Sequence, residues 1–141
     1  MRLIIGHLIV VCILVATTGC DKSVKRRAIS GSVKLDGKDI EKGQIQFVPV
    51  KGGPSAGTDI INGQYKLEGP RGPGIGQYKI EITAYRTGQP GQFDEVTKQR
   101  EMEMIQYVPA KYNESSTLVR DITEAEESMT LDFELTSNSG G

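Results

Sequence analysis

Apolar and polar residues alternate one by one along most of the chain that follows residue 27. The most regular stretch, "GQYKIEITAY", begins at Gly76 and ends at Tyr85. Similar alternation runs through "AISGSVKL", "GQIQFVP", "GQYKLEG" and "MTLDFEL", and less regularly through "STLVRDI". A period of two predicts β-strands with one buried face and one wet face. The predicted buried residues are Ile29, Gly31, Val33, Leu35, Ile45, Phe47, Tyr65, Leu67, Tyr78, Ile80, Ile82, Ala84, Met129, Leu131, Phe133 and Leu135.

Turn signals separate these segments. Asp36-Gly37 and Asn62-Gly63 are typical of two-residue hairpin turns, because these residues tolerate positive φ at both central positions. "EGPRGPGIGQY" carries four glycines and two prolines from Gly69 to Gly76, which predicts a rigid loop. No helical pattern follows that loop, so a phosphate-binding role is disfavoured. These strand-like segments at short spacing predict an all-β fold, an antiparallel seven-stranded β-sandwich.

One connection, residues 86–115, is too long for an ordinary turn. Its sequence contains the charged stretch "FDEVTKQREMEMIQYVPAKYNES", which we expect to be an insertion loop with a turn or two of helix. Pro109 ends any regular structure before it. Tyr107, Val108 and Tyr112 are expected to pin the returning chain to the sandwich, so packing is the first interpretation of these tyrosines.

The first residues have the order of a secretory signal: Arg2, then an apolar run from Leu3 to Ala16, then small residues. As a helix, this run would reach only about 21 Å, short of the roughly 30 Å hydrocarbon core of a membrane. "ATTGC" resembles the lipobox of bacterial lipoproteins, apart from Thr17 where that pattern prefers an aliphatic residue. The resemblance implies cleavage before Cys20 and attachment of diacylglycerol to its thiol. Simple secretion is the alternative.

These patterns divide the chain into four parts. Residues 1–19 are predicted to be a signal peptide helix, and residues 20–27 a polar tether. Residues 28–136 form the predicted sandwich with its 86–115 insertion, and residues 137–141 a disordered tail. The expected location is the cell envelope, with the exported protein held to the membrane by a lipid anchor at Cys20.

Charge argues against nucleic acid as a partner. The chain has 17 Lys and Arg against 18 Asp and Glu, and loss of Arg2 with the signal leaves 16 against 18, a net charge of −2. A near-neutral domain lacks the basic footprint of a nucleic-acid binder. Four basic residues follow the anchor, and we interpret them as a solvated tether, with contact to anionic lipid headgroups as the alternative. They are Lys22, Lys25, Arg26 and Arg27.

Loss of residues 1–19 also removes the types of side chain that many enzymes use for catalysis. His7 and Cys12 leave with the signal, and Cys20 is then the sole cysteine. The mature domain therefore cannot build a Ser-His-Asp or Cys-His arrangement, a usual zinc or copper site, or a disulfide. Strand-face carboxylates such as Glu81, Asp132 and Glu134 are interpreted as solubilising residues. We predict a protein that is not an enzyme and has no cofactor and no metal.

Four stretches in order carry a resemblance to a known family: "SGSVKLDGKDIEKGQIQFVPV", "AGTDIINGQYKL", "GPGIGQYKIEITAYRTG" and "YVPAKYNESSTL…LDFEL". Together, from about Ala28 to Leu135, they resemble the small secreted lipoproteins of planctomycete bacteria that carry a carboxypeptidase regulatory-like domain. The resemblance implies a transthyretin-like (prealbumin-like) β-sandwich and an envelope location. It implies no functional residues, because that family has no established activity.

Two functions stay open. The first is a non-catalytic structural or protein-interaction module that meets an envelope protein. The second is a carbohydrate-binding module, for which Tyr85, Tyr107 and Tyr112 are the candidate stacking platform. Arg86 and Lys111 would assist if the glycan were sulfated. Exposed and coplanar tyrosines would favour the second function, and buried tyrosines would weaken it.

Overall fold

The structure of the protein is a computed structural model that describes residues 25–125 and 127–138. The predicted signal helix, Cys20 and the first part of the tether lie outside these residues, as do the last three residues of the predicted tail.

Eleven strands and two short 3-10 helices make up the described chain, so the all-β prediction is confirmed. The strands are β1 (Ala28–Leu35), β2 (Lys38–Asp39), β3 (Lys42–Pro49), β4 (Ala56–Ile61), β5 (Gln64–Leu67), β6 (Gly76–Thr83), β7 (Tyr85–Asp94), β8 (Gln99–Gln106), β9 (Val119–Ile122), β10 (Ser128–Thr130) and β11 (Phe133–Leu135). The 3-10 helices cover Gly69–Arg71 and Ala110–Tyr112.

Nine strands join one curled sheet that resembles half of a barrel. Its neighbours follow the order β10-β1-β5-β4-β3-β6-β9, and β2 and β11 also pair with β1. Most pairings are antiparallel as predicted, but β10 and β11 both run parallel to β1. A parallel pairing needs a crossover connection, and alternation along single strands carries no information about it.

The core consists of the residues that the alternation predicts, with some additions. Fifteen of the sixteen predicted positions are hydrophobic residues that are buried or packed partly buried against the core, and the sixteenth, Gly31, is also buried. Leu35, Met129 and Leu131 are among the partly buried group. The additions are Ile40, Ala56, Ile60, Val108 and Ile122.

Gly31 shows why one inward position of β1 has no side chain. The N–H of Leu131 donates to the carbonyl oxygen of Ser30 at 2.9 Å, which brings the segment between β10 and β11 against β1. A Cβ atom at Gly31 would lie 1.9 Å from the carbonyl oxygen of Leu131. Only glycine allows this approach of two backbones.

Both predicted hairpin turns are confirmed by their backbone angles. Asp36 and Gly37 have φ of 51° and 76°, and Asn62 and Gly63 have φ of 50° and 73°. Positive φ at both central residues is the geometry of a type I′ turn, whose twist matches that of the flanking strands.

The 86–115 connection differs from the expected loop with helical turns. Most of it is a β-hairpin, in which β7 pairs with β8 to form a separate two-stranded sheet. At its tip, the carboxylate of Asp94 accepts the N–H groups of Val96 and Thr97 at 2.7 and 2.9 Å. The charged stretch forms β8 because its charged and apolar residues alternate with period two, as an exposed strand allows.

The chain returns to the core after β8, as predicted, although Val108 is the residue that is fully buried. Asn113 stabilises the segment that returns to the core, because its side-chain amide donates to the carbonyl oxygens of Val108 and Pro109 at 2.9 and 3.3 Å. The hydroxyl of Ser116 donates to the carbonyl oxygen of Ile80 in β6. Tyr107 and Tyr112 pack against the core from its margin.

Candidate functional site

The described chain begins beside the first residues of β6. Arg26 forms a bridge with Gly74, and the N–H of Arg27 donates to the carbonyl oxygen of Pro73 at 2.9 Å. The ammonium of Lys25 lies 2.9 Å from a carboxylate oxygen of Glu124. These contacts hold the last residues of the predicted tether against one end of the sheet. Cys20, the predicted lipidation site, lies outside the described residues.

The β7–β8 hairpin begins at the opposite end of β6. That strand runs from Gly76 to Thr83, and Ala84 alone separates it from β7. Eight residues of extended chain cover about 23 Å, taking roughly 3.3 Å for each residue. The tether and the hairpin therefore meet the domain at opposite ends of one central strand.

Three of the five candidate ligand residues line one groove at the base of the hairpin. Tyr85, Arg86 and Tyr107 face the turn that carries β2 and the start of β3. Tyr85 is 52% exposed, whereas Tyr107 is half-buried against the core. Burial, reinforced by the negative charge of Glu41, raises the pKa of the Tyr107 phenol above its usual value. This groove has both an aromatic surface and a cation.

The other two candidate ligand residues, Lys111 and Tyr112, make contacts within the chain instead of lining this groove. The Lys111 ammonium lies 5.0 Å from the centre of the Tyr112 ring and donates to the backbone oxygen of Asn138 at 2.6 Å. The Tyr112 hydroxyl lies 3.2 Å from the Thr136 hydroxyl, and this hydrogen bond is the main reason that the pKa of Tyr112 falls below its usual value. Both side chains hold the segment after β11.

The structure therefore does not assemble the three candidate tyrosines into one flat platform. Tyr85 is exposed, and Tyr107 and Tyr112 are partly buried. The aromatic ring pairs seen in the described chain lie in the core, where they join Phe47, Tyr65, Tyr78 and Phe133. Tyr85 is therefore the most exposed of the three rings.

An exposed apolar stripe on the hairpin went unrecognised in the sequence. Tyr85, Phe93, Met102 and Met104 are each between 44% and 59% exposed. The register pairs Thr87 with Met104, Pro90 with Met102 and Phe93 with Arg100, which brings these residues along one face. Tyr85 and Met104 also share a groove with Ile61 of β4. The alternation in "REMEM" was the signal that could have indicated this face.

A second, polar groove lies on the outer face of the main sheet. Gln44, Gln46, Asp59 and Arg71 line it, beside the edge of β4. The amide of Gln44 donates to the Asp59 carboxylate at 3.4 Å. Side chains that donate or accept hydrogen bonds line this groove, and no aromatic ring lies among them.

The described residues contain neither a cluster of metal-binding side chains nor a membrane-spanning helix. Across residues 25–125 and 127–138, no three His, Cys, Asp or Glu side chains gather closely enough to hold a metal ion. The same part of the chain contains no helix with the length and apolar character needed to cross a membrane.

Comparison with known proteins leaves the chain without an assigned family. No family model matches it, and no curated protein matches it. Among solved structures, a 9R-lipoxygenase from Cyanothece PCC8801 aligns with 79% of this chain at 12% identity and a TM-score of 0.37. The aligned part is 16% of that lipoxygenase chain, so this chain spans less than a fifth of its length. A likeness at this level carries no argument about fold or function.

Proposed function

We propose that this protein is a non-catalytic lipoprotein of the cell envelope, which presents a β-sandwich module to a protein partner. Its chain is exported, cut before Cys20 and held to the membrane by lipid on that cysteine. The single observation that carries this proposal is the position of the tether and the hairpin at opposite ends of β6. An anchored display module needs this separation of its attached end from its free end.

The length of the tether supports the proposed orientation. Lys25 lies five positions after Cys20, and extended chain covers at most about 3.5 Å for each step, or about 18 Å in total. The end of the sheet that carries Gly74 and Glu124 therefore stays close to the membrane surface. The hairpin, at the other end, points into the aqueous space where a protein partner can reach it.

The pairing pattern supports a sandwich of the transthyretin type. The strands fall into two groups, one of β10, β11, β1 and β5 and the other of β4, β3, β6 and β9. A single register pair, Ile61 with Gln64, joins the two groups beside the Asn62-Gly63 turn. Both groups bury their alternate side chains in one core, as two facing layers do.

The carboxylates of the domain support a role without catalysis. A general acid needs a carboxyl pKa that is raised toward neutrality. The described carboxyl groups whose pKa is shifted all move the other way, because hydrogen bonds stabilise the ionised form; they are Asp36, Glu68, Asp94, Glu124 and Asp132.

The test of the anchor compares the full chain with a Cys20→Ser variant, both expressed in a bacterium that processes lipoproteins. We expect the wild-type protein in the membrane fraction, with an intact mass equal to residues 20–141 plus diacylglycerol. The variant should lose the lipid mass and leave the membrane fraction or retain its signal. A soluble wild-type protein with a free Cys20 thiol would mean simple secretion instead.

A carbohydrate-binding module is the second candidate, and the groove of Tyr85, Arg86 and Tyr107 favours it. The probe is dextran sulfate, with uncharged dextran as its control. Binding of dextran sulfate that is lost in both Tyr85→Ala and Arg86→Ala would support a sulfated glycan. Equal binding by wild-type and variant proteins, or none by any, would exclude this groove as the site.

A further inference from the structure

The outer edge of β8 is an open backbone edge. This strand covers eight residues and pairs with β7 alone among the described strands. Its residues from Gln99 to Met104 are all exposed. Unpaired N–H and C=O groups along such an edge are a template for another strand.

The register shows which residues direct their backbone groups outward. The N–H of Tyr107 donates to the carbonyl oxygen of Ala84 at 3.1 Å, and Tyr85 lies opposite Gln106. In an antiparallel ladder, alternate residues bond to the same neighbour. The odd-numbered residues of β8 therefore bond to β7. Arg100, Met102 and Met104 turn their N–H and C=O groups to the free side.

Other edges of the described sheets are less suited to strand addition. β7 contains Pro90, which has no N–H, and its register shifts on both sides of that residue. At the two ends of the main sheet, β9 has four residues and β10 has three. β8 is the longest regular open edge that the structure describes.

The two faces of β8 differ in chemistry. Met102 and Met104 lie on the apolar face with Tyr85 and Phe93. The opposite face carries the carboxylates of Glu101 and Glu103, and the described chain contains no ion pair to either of them. An added strand would meet methionine on one side and negative charge on the other.

This pattern disfavours a second copy of the chain as the occupant. Two copies of β8 can pair antiparallel over seven residues in two registers, one with Met102 opposite itself and one with Met102 opposite Met104. One register places Glu101 opposite Glu103, and the other places Glu103 opposite itself. Like charges directly opposite one another destabilise a strand pair.

We propose that the outer edge of β8 binds an extended segment of a partner protein as a third strand of the hairpin. Basic residues of that segment lie opposite Glu101 and Glu103, and apolar residues lie on Met102 and Met104. Backbone hydrogen bonds hold the segment, and the alternating side chains select it. This inference rests on the proposed function, because it specifies the chemistry of the partner protein that binds the hairpin.

A charge-swap experiment tests the side-chain part. The mature lipidated protein in detergent is titrated with two labelled peptides, one of alternating lysine and valine and one of alternating glutamate and valine, and fluorescence anisotropy is measured. We expect the lysine peptide to bind wild-type protein and to bind the double variant E101K/E103K at least about tenfold more weakly. The glutamate peptide should show the reverse preference. Lysine-peptide binding that is absent in the wild-type protein, or unchanged in the double variant, would overturn the proposal.

Two matched controls accompany the swap. The double variant E68K/E134K makes the same change in net charge away from the hairpin, just after β5 and in β11, and its affinity for the lysine peptide should stay within twofold of the wild type. Met102→Pro removes one outward N–H group, whereas Met102→Leu keeps it. Loss of binding in the proline variant alone supports strand addition, and equal binding by both variants contradicts it.

Two further readouts separate this inference from the proposed function. If wild-type protein forms dimers in sedimentation and Met102→Pro does not, the occupant is a second copy and the proposal fails. Photo-crosslinkers at Glu103 and at Asp59 are then compared in native envelopes. A protein captured from Asp59 but not from Glu103 overturns the β8 site and leaves the interaction function in place. If neither position captures a protein and neither peptide binds, both the β8 site and the proposed interaction function are contradicted.

Discussion

Single residues fix the points at which separate parts of the chain touch. Gly31 lets the segment around Leu131 lie on β1 without a gap. Asp132, one position further, accepts both the N–H and the hydroxyl of Ser32, at 2.7 and 2.8 Å. These contacts join residues about 100 positions apart, so the last strands depend on residues of the first.

Gly31→Ala should destabilise the protein by about 1–3 kcal/mol, because the added methyl group overlaps the carbonyl oxygen of Leu131 and forces two backbones apart. Chemical denaturation with a spectroscopic probe gives the free energy of unfolding. Ser30→Ala is the matched control, since it changes the adjacent, half-buried position and should cost far less. Equal stability of Gly31→Ala and the wild type would contradict the close approach.

Asp132 predicts a dependence of stability on pH. Its hydrogen bonds to Ser32 lower the pKa of the carboxyl group below its ordinary value of 3.8. The ionised form is thus preferred in the folded state, so its contribution is complete above that value and is lost as the pH falls through the lower, folded pKa. Wild-type protein should be more stable than Asp132→Asn at pH 7, and the difference should shrink below pH 4. A difference that grows on acidification would refute this assignment.

Strands and turns of the main sheet were predictable to the extent that their residues report on local geometry. Ile80 and Ile82 alternate with polar residues because one side of β6 faces the core, and Asn62-Gly63 turns because both residues accept positive φ. The parallel partners of β1 were not predictable in this way, since pairing between distant segments leaves no local pattern. The hairpin was missed because a strand exposed on both faces lacks the usual contrast of buried and wet positions.

We expect the core to fold without the β7–β8 hairpin. No side chain from residues 88–103 belongs to the buried core. Thr87 and Met104 are also exposed. Arg86 and Ile105 lie opposite each other as a hydrogen-bonded pair, so replacing residues 87–104 by Asn-Gly should close the hairpin with a two-residue turn. We expect cooperative unfolding with a Tm within a few degrees of the wild type, as measured by circular dichroism. Loss of the cooperative transition would show that the hairpin is needed for folding.

On the scale of the whole molecule, the tether and the hairpin define an axis along β6. Of the five candidate ligand residues, Tyr85, Arg86 and Tyr107 share the groove at its far end. Lys111 and Tyr112 instead hold the segment after β11. Sequence reasoning grouped all five by their chemistry, but only the folded chain could separate the side chains that line a groove from those that make contacts within the chain.

Fluorophores test the axis when the lipidated protein is bound to vesicles that contain an acceptor lipid. Single labels are placed at Ile75→Cys, beside the tether, and at Val96→Cys, at the tip of the hairpin; both side chains are exposed. Energy transfer to the membrane should be strong from position 75 and weak from position 96, because β6 alone separates the two ends by about 23 Å. Equal transfer from both positions would mean that the domain lies flat on the membrane.

The opposite placement of tether and hairpin also has a mechanical consequence. A pull between the membrane and a partner held at the hairpin would act along the strands, from the start of β1 toward the far end of β6. Hydrogen bonds of an antiparallel ladder lie across the strands, so such a load would strain many of them together instead of opening them one at a time. If the proposed function holds, the domain would therefore resist force as a stiff link between the membrane and its partner.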